Sequence, residues 1–131
     1  MESTHTVARA YADAVSAKDF ATVAGLYAED IAWHQPGANR LSGTHRGGAA
    51  VGAVIGQMMV ISEGTFELAV TGAPMVNGDV AAIPVHFSGQ RQGVELAQDG
   101  VDVLRIEGDR IAEVWLFSSD QDAEDAFWGT D

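Results

Sequence analysis

The chain of 131 residues contains no cysteine. Disulfide bonds, thiolate nucleophiles and cysteine-ligated zinc sites are therefore excluded. It also has no run of 18 apolar residues and no apolar segment of signal-peptide length near its N-terminus, so neither a membrane span nor a signal peptide is predicted. We therefore expect a cytoplasmic protein.

Basic residues are scarce: seven Lys and Arg stand against 19 Asp and Glu, for a formal net charge of −12. The seven are scattered along the chain, so we expect neither nucleic acid nor an anionic membrane as a partner. Motifs for metal, nucleotide and serine-nucleophile sites are absent too, including His-x-His, the P-loop and Gly-x-Ser-x-Gly. The sequence therefore predicts no metal and no cofactor.

The composition, 47% hydrophobic and 20% charged, is typical of a folded protein. A chain of this length is predicted to form one domain over residues 1–131. Apolar residues at helical spacing predict a first helix over 4–17 and a second that begins after Asp19 and ends before Glu29. A third helix is predicted over 47–61, although Gly48, Gly52 and Gly56 lie within it. Those glycines indicate either close packing against another element or a weak, mobile helix.

A brief strand over 31–33, between the second and third helices, is stopped by Pro36-Gly37, and a polar loop follows to residue 46. After Gly64 the spacing of the apolar residues changes to a period of two. Alternating apolar residues predict about four longer strands, and the tail DQDAEDAFWG has the composition of a short closing helix. The four strand segments are 66–71, 83–88, 101–106 and 111–117. Three helices followed by an antiparallel sheet constitute an α+β fold.

Three segments, in this order, carry a family resemblance: YADAVSAKDFATVAGLYAEDIAWHQPG, LSGTHRG and VDVLRIEGDRIAEVW. Together they resemble the NTF2-like superfamily, and within it the SnoaL-like and ketosteroid-isomerase-like proteins. The resemblance covers nearly the whole chain. It implies a cone of three N-terminal helices packed on a curved, mostly antiparallel sheet, with a short C-terminal helix, and a homodimer formed sheet to sheet.

The resemblance also implies roles for three positions. By the resemblance, Tyr11 matches the helix-1 tyrosine and Asp102 the late-strand acid that together form the oxyanion hole of ketosteroid isomerases. Gln35 stands where those enzymes carry the aspartate that acts as general base. Glutamine cannot act as a base at neutral pH, so the base must be another residue.

From the residues alone, Asp102 is the one charged side chain on a strand face that otherwise carries Leu104 and Ile106. Burial on that face would raise its pKa and mark a functional site. The alternative is an ion pair with Arg105 or Arg91. Tyr11 also has an alternative, as a core ring on an amphipathic helix.

His34 is the third catalytic candidate, because histidine can take a proton near neutral pH. Strict alternation puts it on the face opposite Trp33 and Gln35, whereas a bulge before Pro36 would turn it inward. SnoaL-like sequences are similar here, with Trp-His before Pro-Gly, and this favours a pocket-lining His34. The predicted substrate-binding residues are Trp33, Gln35, Asn39, Met58, His86, Leu104, Trp115, Phe117, Asp120 and Trp128.

The function predicted on this basis is cofactor-independent isomerisation, cyclisation or dehydration of a small hydrophobic carbonyl compound. His34 or Asp102 would move the proton and Tyr11 would stabilise the oxyanion. One alternative is a non-catalytic module for ligand binding or dimerisation. An epoxide-hydrolase-like activity is a second alternative; Asp120 could be its second acid, but Gly100 occupies the place of the required arginine.

Overall fold

The computed structural model describes residues 2–130, apart from the side chain of Glu2, and residues 1 and 131 lie outside this description. The elements in chain order are α1 (Glu2–Ser16), α2 (Phe20–Gly25), β1 (Tyr27–Gln35), β2 (Gly43–Arg46), α3 (Gly48–Ile61), β3 (Glu67–Val70), β4 (Met75–Asn77), β5 (Val80–Arg91), β6 (Val94–Glu107), β7 (Arg110–Ser118) and α4 (Gln121–Trp128). The predicted α+β fold, with three N-terminal helices and a short closing helix, is confirmed.

The strands form one seven-stranded sheet in the order β2-β1-β7-β6-β5-β3, with β4 also paired to β5. Every pairing is antiparallel except that of β1 with β7. The mostly antiparallel, curved sheet expected from the sequence is therefore confirmed. The one parallel pair consists of the first strand, β1, and the last strand, β7, which lie side by side and run in the same direction.

Side chains on one face of the sheet form the core with the helices. On β5, alternation buries Ile83, Val85 and Phe87, and on β6 it buries Leu104. Full burial of an aliphatic side chain stabilises the fold by roughly 1.5–3 kcal/mol relative to exposure. The face that carries these residues is called the inner face below, and the opposite one the outer face.

The helices cover the inner face in two groups. Helix α1 packs on α2, β3, β5 and β6, whereas α3 packs on β1 and β2. The two groups therefore rest near opposite ends of the inner face and leave a space between them. Within residues 2–130, no helix is long and apolar enough to cross a membrane.

Candidate active site

A cavity of about 580 Å³ occupies the space between the two helix groups and the inner face of the sheet. Its wall is mostly apolar, with a few polar groups, as is typical of small-molecule sites. The lining residues are Tyr11, Val15, Lys18, Phe20, Val23, Tyr27, Trp33, Gln35, Gly52, Ile55, Gly56, Met58, Met59, Gly64, Phe66, Glu67, Leu68, Phe87, Asp102, Leu116, Phe117, Ser118 and Glu124.

Asp102 and Tyr11 form a buried pair in this wall. The Tyr11 hydroxyl donates a hydrogen bond of 3.0 Å to Oδ2 of Asp102, and the two residues are 4% and 2% exposed. Burial raises the pKa of Asp102 to about 6, against a smaller lowering by the Tyr11 hydrogen bond. Burial, followed by the charge of Asp102, raises the pKa of Tyr11 well above its usual value. Asp102 can therefore exchange a proton near neutral pH while Tyr11 stays protonated.

The alternative of an arginine partner for Asp102 does not hold. Arg105 bonds Glu113 and Glu107, and Arg91 donates to the carbonyl oxygen of Trp128. Asp102 is thus a buried acid without a basic partner among the described residues.

Tyr27 is a second phenol in the cavity wall, and the apolar spacing predicted it to lie on the second helix. It begins β1 instead, and burial together with the charge of Asp102 raises its pKa to about 12. A protonated phenol can donate a hydrogen bond to a ligand.

Trp33 and Gln35 lie on the inner face of β1, as predicted. They are 6% and 4% exposed, and the indole nitrogen of Trp33 donates a hydrogen bond of 2.9 Å to Oε1 of Gln35. Both side chains line the cavity.

Glu124 on α4 is a second buried carboxylate in the wall, and sequence reasoning missed it. It accepts hydrogen bonds from Trp128 Nε1 at 3.0 Å, Ser118 Oγ at 2.6 Å and Gln121 Nε2 at 3.1 Å. These donors tie α4 to the end of β7. The spacing of Glu124 and Trp128, four residues apart on one helix, is the signal that could have indicated this contact.

Some residues that line the cavity are also exposed to solvent. Phe20 is 60% and Met59 40% exposed, and Lys18 pairs with Glu67 at 3.0 Å. Lys18 is the one lysine or arginine among the described lining residues. Its charge is offset by Glu67, so the wall favours an uncharged, hydrophobic ligand.

The expectation that His34 lines the cavity is wrong. The register between β1 and β2 runs unbroken from Ala32 to Gln35, so no bulge precedes Pro36 and alternation turns His34 to the outer face. There its Nε2 lies 2.5 Å from Oε2 of Glu113, its Nδ1 lies 3.0 Å from Oγ1 of Thr44, and its ring stacks on Trp115. The contact with His34 is also the largest cause of the lowered pKa of Glu113.

Four other predicted lining residues also lie outside the cavity. Trp115 shares the outer face with His34, and His86 lies there too, 3.0 Å from Asp99, because both occupy outward positions of their strands. Asn39 donates to Asp125, which holds the loop after β1 against α4. Asp120 caps α4 by accepting from the backbone nitrogen of Ala123.

Leu104 and Trp128 are fully buried but lie behind the cavity wall rather than in it. The ring of Trp128 packs against Phe127 and Phe66. Met58 and Phe117, which were predicted to bind substrate, line the cavity. Among residues 2–130 there is no group of three or more His, Asp or Glu side chains that could hold a metal ion.

Solved structures of other proteins share this fold. A protein of unknown function with a cystatin-like fold from Xanthomonas campestris is 50% identical over 96% of this chain and 98% of its own, with a TM-score of 0.88. An NTF2-like protein from Burkholderia xenovorans is 20% identical over 98% and 97% of the two chains, with a TM-score of 0.75. TerC, co-crystallised with polyporic acid, is 16% identical over 89% and 92%, with a TM-score of 0.75.

No curated protein matches the chain. The model of the SnoaL-like domain, in contrast, matches residues 8–114. This span includes the part of α1 that carries Tyr11, the cavity-lining part of β1 and the strand that carries Asp102. The chain therefore belongs to the SnoaL-like domain family, with an NTF2-like fold.

Proposed function

We propose that the protein is a cofactor-independent enzyme that moves a proton next to the carbonyl group of a small hydrophobic compound. The observation that carries the proposal is the buried Asp102, with its pKa raised to about 6, in the wall of an apolar cavity. An acid or base is most effective when its pKa lies near the working pH. Isomerisation, cyclisation and dehydration all begin with such a step.

In the proposed step, the ionised carboxylate of Asp102 takes a proton from the carbon beside the carbonyl. The C–H electron pair becomes a carbon–carbon double bond, and the carbonyl π pair moves to oxygen as an enolate. Asp102 then returns the proton to carbon. Tyr11 donates its only hydroxyl hydrogen to Oδ2, which orients the carboxylate and leaves Oδ1 to exchange the proton.

The lining residues support a hydrophobic substrate. Aromatic, methionine and aliphatic side chains make up most of the wall, and the one lining lysine among the described residues is paired with Glu67. TerC, which has the same fold, was co-crystallised with polyporic acid, and this is consistent with a small-molecule ligand for the fold.

The experiment is deuterium exchange from D2O into the carbons beside the carbonyl in a panel of hydrophobic ketones, beginning with 2-acetylnaphthalene. We expect the protein to accelerate exchange and Asp102→Asn to reduce the rate at least about 100-fold, since general bases contribute 10²–10⁴-fold. Asp13→Asn, an exposed substitution of the same type on α1, is the matched control and should leave the rate unchanged. Exchange that survives in Asp102→Asn would refute the assignment.

The non-catalytic alternative predicts a different result. A ligand-binding module would bind the ketones without accelerating their exchange. The epoxide-hydrolase-like alternative is disfavoured because a side chain at Gly100 would place its Cβ 2.4 Å from the carbonyl oxygen of Phe117, so the arginine of that mechanism does not fit without a shift of β7.

A further inference from the structure

The amide of Gln35 is held in one orientation inside the cavity. Its Oε1 accepts from the Trp33 indole at 2.9 Å, and both residues are buried. An indole nitrogen can only donate a hydrogen bond, so the group it touches must be the amide oxygen and not the amide nitrogen. Trp33 thereby determines which end of the amide is left for a ligand.

The free end is the amide nitrogen. No side chain or carbonyl of residues 2–130 is seen to accept a hydrogen bond from Nε2 of Gln35, although the residue is only 4% exposed. No fully enclosed side-chain nitrogen or oxygen in this part of the chain lacks a partner. Nε2 therefore borders the open cavity, where its two N–H groups can donate hydrogen bonds to a ligand.

Gln35 and Asp102 lie at the same level of the sheet. Trp33 and Leu104 both pair with Val114 on the intervening strand. Gln35 lies two residues beyond Trp33, and Asp102 two residues before Leu104 on an antiparallel strand, so both are displaced in the same direction. Two strand spacings separate them, roughly 10 Å between Cα atoms, and both side chains face the same cavity.

We propose that Gln35 is a catalytic residue that donates a hydrogen bond from Nε2 to the carbonyl oxygen of the substrate, and that Trp33 is the positioning residue that keeps the amide nitrogen turned toward it. The inference rests on the proposed function. Gln35 supplies the hydrogen-bond donor for the enolate oxygen. Tyr11 cannot fill this role while its one hydroxyl hydrogen is donated to Asp102. The substrate is then an uncharged compound with a hydrogen-bond-accepting carbonyl, not a pure hydrocarbon or a carboxylate.

A matched pair of probes tests this assignment by equilibrium binding. In 2-acetylnaphthalene a carbonyl oxygen is present, and in 2-isopropenylnaphthalene a CH2 group replaces it with nearly the same shape. We expect the wild-type protein to prefer the ketone and Gln35→Met to weaken ketone binding about tenfold, as for the loss of one net hydrogen bond. Alkene binding should change less than about twofold, because that probe accepts no hydrogen bond.

Infrared spectroscopy of the ¹³C-labelled ketone identifies the donor. The carbonyl band of the bound ketone should lie at lower wavenumber in the wild-type complex than in an apolar solvent, move toward the apolar-solvent position in Gln35→Met, and broaden in Trp33→Phe, where the amide can rotate. Met58→Leu, a conservative change elsewhere in the wall, should leave the band in place and alter the affinities of both probes alike.

Three results would overturn the proposal: no preference of the wild-type protein for the ketone, equal losses for both probes in Gln35→Met, or a band shift that persists in Gln35→Met and disappears in Tyr11→Phe. None of these measurements requires turnover. A failure of the Gln35 assignment is therefore distinguishable from a failure of proton transfer by Asp102, which the exchange experiment reports.

Discussion

At the scale of single residues, Asp102 determines a specific dependence of stability on pH. Its pKa is raised from 3.8 to about 6 by burial. Between these values the unfolded chain has lost the proton that the folded protein keeps, so stability falls as the pH rises from about 4 to about 6 and stays low above. The shift of roughly two units corresponds to about 3 kcal/mol.

Asp102→Asn removes this dependence, because an amide does not ionise. We expect the free energy of unfolding of Asp102→Asn, relative to wild type, to increase by up to about 3 kcal/mol between pH 4 and pH 7. Urea unfolding at a series of pH values measures it, with Asp13→Asn as the exposed control. A difference that is constant over this range would contradict a buried Asp102 carboxyl group with a raised pKa.

Tyr11 acts on the same group. Its hydrogen bond lowers the pKa of Asp102 and so opposes part of the effect of burial. Tyr11→Phe should therefore raise the pKa of Asp102 further, and the rise of the exchange rate with pH should move to higher pH. If Tyr11 only fills the core, the rate changes without a shift of the profile.

The family resemblance brought Tyr11 and Asp102 together, and the structure pairs them by a hydrogen bond, but His34 was not placed correctly. Alternation along β1 alone indicates the observed faces of Trp33, His34 and Gln35. The wrong prediction for His34 came from assuming a bulge before Pro36. The irregularity of β1 lies earlier, between Tyr27 and Ala32 in its pairing with β7. Irregularities of this kind depend on the neighbouring strand, which a local pattern does not reveal.

At the scale of elements, the glycines of α3 do not reflect close packing, which was one of the two interpretations expected from the sequence. A Cβ added at Gly48, Gly52 or Gly56 would meet nothing within 4 Å, so close helix packing is not their role. Gly52 and Gly56 line the cavity, whereas Gly48 does not. The missing side chains leave space for a ligand.

Substitution of these glycines should separate stability from binding. Gly52→Ala and Gly56→Ala should each raise the free energy of unfolding by about 0.5–1 kcal/mol, since alanine favours the helix and meets no neighbour. Gly52→Leu and Gly56→Leu should weaken binding of the bulky 1-acetylpyrene more than that of 2-acetylnaphthalene. Gly48→Leu is the matched control, and an equal effect there would exclude a role of the glycines in ligand size.

Two elements could not be predicted because their sequences lack an apolar pattern. The short β2 has the polar sequence GTHR and exists by pairing with β1. The first half of β6 is rich in Glu, Gln and Asp, and it continues a hairpin whose turn residues Gln92 and Gly93 both have positive φ. This turn geometry matches the twist of paired strands, and the partner strand rather than side-chain burial extends β6.

At the scale of the whole molecule, we expect a homodimer formed through the outer face of the sheet. Val101, Val103 and Trp115 lie there, only partly covered within one chain, and the family resemblance implies this mode of association. Val103→Glu would place a charge at the centre of such an interface and should shift the protein to monomer. Sedimentation velocity measures the change, and a wild-type monomer at micromolar concentrations would contradict the expectation.

The most direct test of proton transfer by Asp102 is the pH profile of deuterium exchange into 2-acetylnaphthalene. Because the carboxylate is the active form, the rate should rise with pH, pass its midpoint near pH 6 and level off above. A wild-type rate without an inflection near pH 6, or one that Asp102→Asn reproduces, would contradict it.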